Sequence, residues 1–230
     1  MSQISGYHHL TMSTDGAQED FDFFTKDLGL YSVKRTVLFD GTIPVYHLYY
    51  GAKNGDESTI ITTFPFRKPG VYGRRGTNQS KVVQQAIPVG ASDFWMNRLG
   101  ERGIEARKTS RFGIDRVEFR HPCGIELQLV ENPADNRIPI VNEAQGVSAE
   151  HAIKGIYGGV IAVTDRNAMD DFLTIALPLK KMADDADGMA YEVPNANGPT
   201  SVVEVTEIRD EPQGTWTLSG GTIHHFALNT

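Results

Sequence analysis

Residues 6–12 read GYHHLTM, and near the other end of the chain residues 222–228 read TIHHFAL. Both stretches have the residue pattern of a β-strand with one buried face. Two further strand-like stretches lie between them, KVVQQAIP at 81–88 and GIYGGVIAV at 155–163. The four stretches begin at residues 6, 81, 155 and 222, and this regular spacing predicts an internal repeat.

A helical stretch follows each of the first three strands, because apolar residues recur there at helical spacing. These apolar positions are Phe21, Phe24 and Leu28, then Trp95 and Leu99, then Met169, Phe172 and Leu173. Asp15, Ser92 and Asp165 precede the three helices, and their side-chain oxygens are typical acceptors for the free N–H groups of a first turn. We therefore predict that these three residues cap the helices.

Each helix is followed by further strand-like segments that are separated by turns rich in Asn and Gly, at 54–56, 122–124 and 195–198. The repeating unit is therefore β-α-β-β-β. Three such units are present, and a fourth begins at residue 222. We divide the chain into a first domain of two units, residues 1–140, and a second domain, residues 150–230.

Composition excludes several classes of protein. With 40% hydrophobic and 22% charged residues, the chain is ordinary for a globular domain, and no apolar stretch approaches the roughly 20 residues of a membrane span. The net charge of −7 argues against nucleic acid or an anionic membrane as a partner. The single cysteine, Cys123, excludes an intramolecular disulfide, and no secretory signal is visible at the N-terminus. We expect a cytoplasmic protein.

Four of the seven histidines form two pairs, His8–His9 and His224–His225, at equivalent positions in the first and last strands. Neutral imidazole is a common ligand of iron and zinc, so two pairs at equivalent repeat positions favour a metal site. The alternative is that they are core histidines satisfied by hydrogen bonds. We interpret the remaining histidines, which are His47, His121 and His151, as structural or solvent-exposed.

Adjacent residues of a strand point to opposite faces, so the two members of a pair have different surroundings. Strict alternation places Tyr7 and Thr11 on the face of His9, and Leu10 on the face of His8. We expect the more apolar face to pack under the helices and the other face to line a cavity. The second histidine of each pair is therefore the predicted cavity-facing one.

A site with two histidines also needs a carboxylate if it is to form the two-His-one-carboxylate triad of non-haem iron enzymes. Glu126 follows a turn and enters a strand, but the strands that would supply its histidines, opened by Lys81 and by Tyr157, contain none. We interpret Glu126 as a polar residue of a barrel interior or a remnant. Cys123 has no evident histidine partner and is not predicted to be a nucleophile.

Several segments together resemble the vicinal-oxygen-chelate superfamily, which includes glyoxalase I, bleomycin-resistance proteins and extradiol dioxygenases. They are most similar to its hydroquinone ring-cleaving dioxygenases. The segments are HHLTMSTDGAQEDFDFF (8–24), LGLYSVKRTVLFDG (28–41), IPVYHLYYG (43–51), TTFP (62–65), GRRGTNQ (73–79), RFG (111–113), HPCGIELQLVE (121–131) and GTWTLSGGTIHH (214–225). The resemblance implies an α+β fold of β-α-β-β-β modules that curl into mixed-sheet half-barrels, with units two and three paired and unit one awaiting unit four.

The resemblance further implies an iron(II) site that uses His9 and His225, with Mn(II) or Zn(II) as alternatives. It implies catalytic roles for His8 and His224 in binding or deprotonating a dihydroxylated aromatic substrate, with dioxygen as the second reactant. The family's third ligand is a glutamate late in the fourth repeat, which is not found in this chain. We therefore expect residues 1–230 alone to show little dioxygenase activity. The last strand has an open edge whose unpaired backbone groups could pair with another chain. A homo-oligomer in which a second copy covers the open half-barrel is therefore possible.

Two other functions stay open at this point. The first is a glyoxalase-like lyase or isomerase, which uses zinc or nickel to stabilise an enediolate. The second is a non-catalytic module that binds a small aromatic compound. The missing carboxylate favours the second alternative, whereas both histidine pairs oppose it.

Overall fold

The computed structural model describes residues 4–39, 44–66, 71–186, 188–195, 201–215 and 220–230. The strands are β1 Gly6–Thr14, β2 Tyr31–Phe39, β3 Pro44–Gly51, β4 Ile60–Pro65, β5 Gln79–Ile87, β6 Ala106–Arg111, β7 Ile114–Arg120, β8 Glu126–Glu131, β9 Gly155–Val163, β10 Lys180–Asp185, β11 Gly188–Val193, β12 Ser201–Glu207 and β13 Thr222–Asn229. The helices are α1 Ala17–Asp22, α2 Ser92–Glu101 and α3 Arg166–Asp171, with a short 3₁₀ turn at Glu143–Gln145. Within the described residues, no helix is long and apolar enough to cross a membrane.

The repeat is visible in the helices as well as in the strands. Both α1 and α3 continue into a π-helical turn, Phe23–Asp27 after α1 and Phe172–Ala176 after α3. The capping prediction is correct only for Asp165, whose carboxylate accepts hydrogen bonds from two backbone N–H groups of the first turn. The N-terminus of α1 has no side-chain cap.

The predicted cap Ser92 is itself the first residue of α2. Its backbone N–H and its hydroxyl both donate to the carboxylate of Glu131, at 2.9 and 2.6 Å. A buried carboxylate from the end of β8 thus replaces the local cap, because it satisfies the same free N–H group.

The strands form two sheets. The order is β13-β1-β4-β3-β2 in the five-stranded sheet and β10-β11-β12-β9-β5-β8-β7-β6 in the eight-stranded sheet. The predicted arrangement is therefore confirmed: units two and three pair through β5 and β9, and unit one pairs with the beginning of unit four. The strands β6 and β10, which the sequence analysis did not identify, complete units two and three. The predicted turn at 195–198 lies largely outside the described residues. The division into domains at residues 140–150 stays a prediction.

One face of the five-stranded sheet is buried under α1 and its π-helical turn. Phe24 from that turn stacks on Tyr50 of β3, with ring centroids 4.7 Å apart. The two sheets are joined close to β1, where the buried Tyr7 hydroxyl donates to the Val202 carbonyl at 2.9 Å. At Gly159 a Cβ atom would lie 2.3 Å from the Phe226 ring, so this contact between the sheets requires glycine. The opposite face of the five-stranded sheet is not covered by α1, and it carries the histidine pairs described below.

A buried contact between a histidine and a carboxylate also links unit one to unit two. His121, in the turn before β8, is buried, and its Nε2 lies 3.2 Å from the buried Asp20 carboxylate of α1. Its Nδ1 lies 3.0 Å from the Cys123 sulfur, so the prediction that Cys123 has no histidine partner is wrong. Burial alone lowers the pKa of His121, but the Asp20 carboxylate and then Cys123 outweigh it and raise the pKa from 6.5 to about 9.

This raised pKa predicts a pH dependence of stability. A group whose pKa is higher in the folded than in the unfolded chain stabilises the fold below the unfolded value, and this stabilisation is lost as the pH rises through the folded value. The free energy of unfolding, measured by urea denaturation, should therefore fall between pH 6.5 and pH 9 by roughly 2–3 kcal/mol more in the unsubstituted protein than in His121→Gln. Parallel pH profiles for the two proteins would contradict a charged His121.

Candidate active site

The site is created by the pairing of the first strand with the last. β13 runs antiparallel to β1, and Thr11 lies opposite His225 in the register. The two ligand candidates His9 and His225, 216 positions apart in sequence, thereby bring their Nε2 atoms within 2.9 Å of each other. Both side chains are half-buried on the face of the sheet that α1 does not cover.

Both histidine pairs lie at β-bulges. The register of β1 against β13 shifts between Tyr7 and His9, which makes His8 the extra residue on β1. It shifts again between Thr11 and Met12, and this time the extra residue is His224 on β13. A bulge redirects side chains and increases the local twist, and bulges are common beside active sites.

The bulges correct the strict alternation expected from the sequence. Tyr7 does not share the face of His9: it is fully buried and meets Phe226 edge to face, with centroids 6.3 Å apart. His8 does not lie in the core beside Leu10, since its ring touches that of His9. Both members of each pair therefore belong to the site.

Within each pair the contact joins the two Nδ1 atoms, at 2.7 Å between His8 and His9 and at 2.8 Å between His224 and His225. If the second histidine of each pair donates through Nδ1–H, its Nε2 carries a lone pair, and the two Nε2 lone pairs converge. His8 then carries its proton on Nε2, which lies 3.6 Å from the Glu57 carboxylate. The first histidine of each pair therefore orients the second.

A row of polar side chains extends from His225 across the sheet. Thr11 Oγ1 lies 3.0 Å from His225 Nε2 and 2.8 Å from Thr62 Oγ1. Thr62 lies opposite Tyr49 of β3, and Lys34 of β2 places its ammonium group 5.1 Å from the Tyr49 ring centroid. The row has one residue on each of the five strands, which lie about 4.8 Å apart. It therefore crosses the full width of this face of the sheet.

Three imidazoles of the cluster, those of His9, His224 and His225, have lowered pKa values and are neutral. Burial, followed by the neighbouring His225, lowers the pKa of His9 to about 4. Burial, followed by His224, also lowers the pKa of His225, and burial lowers that of His224. Neutral imidazole is the form that offers a nitrogen lone pair to a metal ion.

His47 lies close to the histidine cluster, which the sequence interpretation did not anticipate. Its ring is half-buried on the site face, 4.3 Å from Phe64 between centroids, so it is not solvent-exposed, and the structural role predicted for it stays a prediction. Phe64 lies in turn 5.4 Å from the His224 ring. The missed signal is parity within β3: His47 and Tyr49 alternate with the buried Leu48 and Tyr50.

The remaining candidates lie elsewhere. Glu126 forms an ion pair with Arg120 at 3.1 Å in the eight-stranded sheet. His151 stacks on Phe94, with centroids 4.2 Å apart. Neither residue contributes to the histidine cluster.

The histidine geometry fits two ligands of one metal ion. With metal–nitrogen bonds of about 2.0–2.1 Å, as for zinc, two nitrogens at a right angle lie about 2.8–3.0 Å apart. The observed separation of the two Nε2 atoms is 2.9 Å. In the part of the chain that the structure describes, no group of three or more His, Cys, Asp or Glu side chains is arranged to hold a metal ion. Among the described residues, the cluster therefore offers two nitrogens that could serve as ligands.

Comparison with solved structures defines the fold. Glyoxalase I from Zea mays matches with a TM-score of 0.66 over 96% of this chain and 73% of its own, at 13% sequence identity. A Bacillus subtilis protein described as a "putative dioxygenase" matches with a TM-score of 0.87 at 32% identity, over 99% of this chain and 71% of its own. The fold is that of the vicinal-oxygen-chelate superfamily.

Comparison with characterised sequences is more specific. The chlorohydroquinone/hydroquinone 1,2-dioxygenase of Sphingobium indicum is 35% identical over 228 residues, which cover 98% of this chain and 70% of the relative. No family model matches the sequence. The chain belongs to the ring-cleaving dioxygenases of the vicinal-oxygen-chelate superfamily.

The hydroxyl of Thr11 holds the polar row together, and this can be tested. Thr11→Val keeps the shape of the side chain but removes both hydroxyl contacts, so we expect it to lower the free energy of unfolding by about 1–3 kcal/mol. Thr77→Val is a matched control, because Thr77 is also buried and its hydroxyl has no hydrogen-bond partner among the residues described. Urea denaturation of both variants should show the difference, and equal effects would refute a role for the row in stability.

Proposed function

We propose that this protein is an iron(II)-dependent ring-cleaving dioxygenase that acts on hydroquinone-type diols. The convergence of His9 and His225 on one point of the concave face is the observation that carries the proposal. The identity of 35% to a chlorohydroquinone/hydroquinone 1,2-dioxygenase supports the substrate class.

His9 and His225 would hold the metal through Nε2. An iron(II) ion at that point would bind the diol and dioxygen side by side and favour deprotonation of the diol. A carboxylate completes the triad in such sites and leaves positions open for both reactants. The chain's own contribution is to fix the two imidazoles, because Thr11 and the first histidine of each pair contact them from the side.

We assign the proton-accepting role to His224, with His8 as the second candidate. The His224 ring lies beside Phe64 of β4, with the ring centroids 5.4 Å apart. His8 is directed instead towards Glu57. Burial lowers the pKa of His224, so its imidazole is neutral. In the tautomer given above its Nε2 carries the proton, so His224 would take up the substrate proton through its Nδ1 lone pair once that nitrogen is released from His225.

Metal binding by the two histidines is testable without turnover. Titration of the metal-free protein with zinc or anaerobic iron(II), followed by calorimetry, should show one site. His9→Ala and His225→Ala should each weaken it by more than about tenfold, because each removes one of the ligands. His151→Ala is the control, since His151 stacks on Phe94 away from the cluster. Unchanged affinity in both site variants would exclude these ligands.

The reaction is tested by oxygen uptake of the iron-loaded protein with hydroquinone, together with the ultraviolet spectrum of the opened ring. Because the described residues offer no third ligand beside the two histidines, we expect slow oxygen uptake by this chain, with one dioxygen consumed for each ring opened and a still lower rate in His225→Ala. A glyoxalase-type enzyme would instead convert a hemithioacetal without consuming oxygen. Binding of hydroquinone without oxygen uptake would identify a non-catalytic binding module and overturn the proposal.

A further inference from the structure

His47 lies on the site face with one ring nitrogen bonded and the other unused. The Tyr49 hydroxyl lies 3.0 Å from His47 Nδ1. The Nε2 atom is buried and has no hydrogen-bond partner among the described residues. A buried polar atom without a partner costs about 1–3 kcal/mol, so a histidine retained only for packing is expected to have both nitrogens satisfied.

The surroundings of His47 identify what would satisfy it. Its ring packs against Phe64 and Tyr49, with both centroids 4.3 Å away. The surroundings of His47 are therefore suited to packing against an aromatic ring. Burial, then Lys34, then His225 and His224 lower the pKa of His47 to about 4, and the imidazole is therefore neutral. A neutral imidazole whose Nδ1 is engaged by Tyr49 offers a single donor or acceptor at Nε2. A hydroxyl group can play either part.

The distance of His47 from the metal-binding histidines suits a substrate whose two hydroxyls lie at opposite ends of the ring. β4 separates β1 from β3, so His47 is two strands away from His9, roughly 10 Å at the level of the backbone. In a 1,2-diol both hydroxyls lie at the metal end of the ring. In a 1,4-diol the second hydroxyl lies at the opposite end of the ring, and a ring packed along Phe64, which contacts both His224 and His47, would direct this hydroxyl towards β3.

We propose that His47 binds the distal hydroxyl of a 1,4-dihydroxylated ring through Nε2, with Tyr49 holding the imidazole in place and Phe64 lining the ring. This subsite makes the protein selective for 1,4-diols over 1,2-diols. The inference rests on the proposed function for the location of the first hydroxyl, at His9 and His225. It adds a residue that fixes the ring orientation.

The test measures binding rather than turnover. Hydroquinone and phenol are titrated anaerobically into the iron(II)-loaded protein, and binding is followed by calorimetry. Phenol keeps the proximal hydroxyl and lacks the distal one. We expect hydroquinone to bind about tenfold more tightly than phenol, the difference of one hydrogen bond. His47→Phe should remove this difference by weakening hydroquinone alone.

Three further variants make the result specific. His47→Gln should restore part of the preference, because its amide can reach the position of Nε2. Tyr49→Phe should give an intermediate loss, since the imidazole is no longer held. Tyr46→Phe is the control: Tyr46 lies on the same strand, points to the other face and is 57% exposed, so no change is expected. Circular dichroism confirms that each variant is folded.

The outcomes separate this inference from the proposed function. A normal preference for hydroquinone without any oxygen uptake would overturn the proposed reaction and leave the subsite intact. Equal binding of hydroquinone and phenol by the unsubstituted protein, or no binding of hydroquinone, would overturn the subsite. A His47→Phe variant that weakens both compounds equally would also overturn it, because it would show a packing role only.

Discussion

The antiparallel pairing of β1 with β13 is the constraint on which the site depends. It joins residues at opposite ends of the sequence and places Thr11 opposite His225. A slip of one residue in this register would turn every side chain of one strand to the other face and separate the two histidines. The surrounding contacts resist such a slip: Tyr7 bonds to the eight-stranded sheet, and Phe226 fills the space that Gly159 leaves open. The packing between the sheets therefore fixes the site register.

The two bulges solve a geometric problem that regular strands leave open. Regular pleating would send the members of a histidine pair to opposite faces, one into the core. Inserting His8 and His224 as extra residues keeps all four imidazoles on one side and lets each pair meet through Nδ1. As a consequence, three of the four imidazoles are half-buried, and burial disfavours protonation of His9, whose pKa is lowered to about 4. Such a cluster of lone pairs is stabilised by a cation, which is the arrangement expected before metal binding.

The sequence predicted the frame of the molecule better than its details. The repeat follows from the hydrophobic patterns of single strands, and the choice of His9 and His225 follows from their equivalent repeat positions. The sheet partners were instead implied by the family resemblance. The bulges follow from none of these, because an extra residue is defined only by its partner strand. The contact between His121 and Cys123 and its link to Asp20 depend on a tertiary contact between units. His47 could have been found from parity once β3 had been recognised as part of the site sheet.

The eight-stranded sheet is built from the same module as the five-stranded sheet but has no histidine cluster among its described residues. Its strands β5 and β9 begin without histidines, and its concave interior is filled by a fully buried ion pair between Arg116 and Glu204, 3.2 Å apart. Gln128 accepts hydrogen bonds from Arg116 at 3.1 Å and from Gln84 at 2.8 Å. A charged pair buried in this way is held by mutual attraction and hydrogen bonds and occupies the space a ligand would need. In the five-stranded sheet the corresponding face carries the hydroxyls of Thr11 and Thr62 and the histidine side chains instead of a buried ion pair. The two sheets therefore share a backbone arrangement, and their side chains decide which of them carries the histidine cluster.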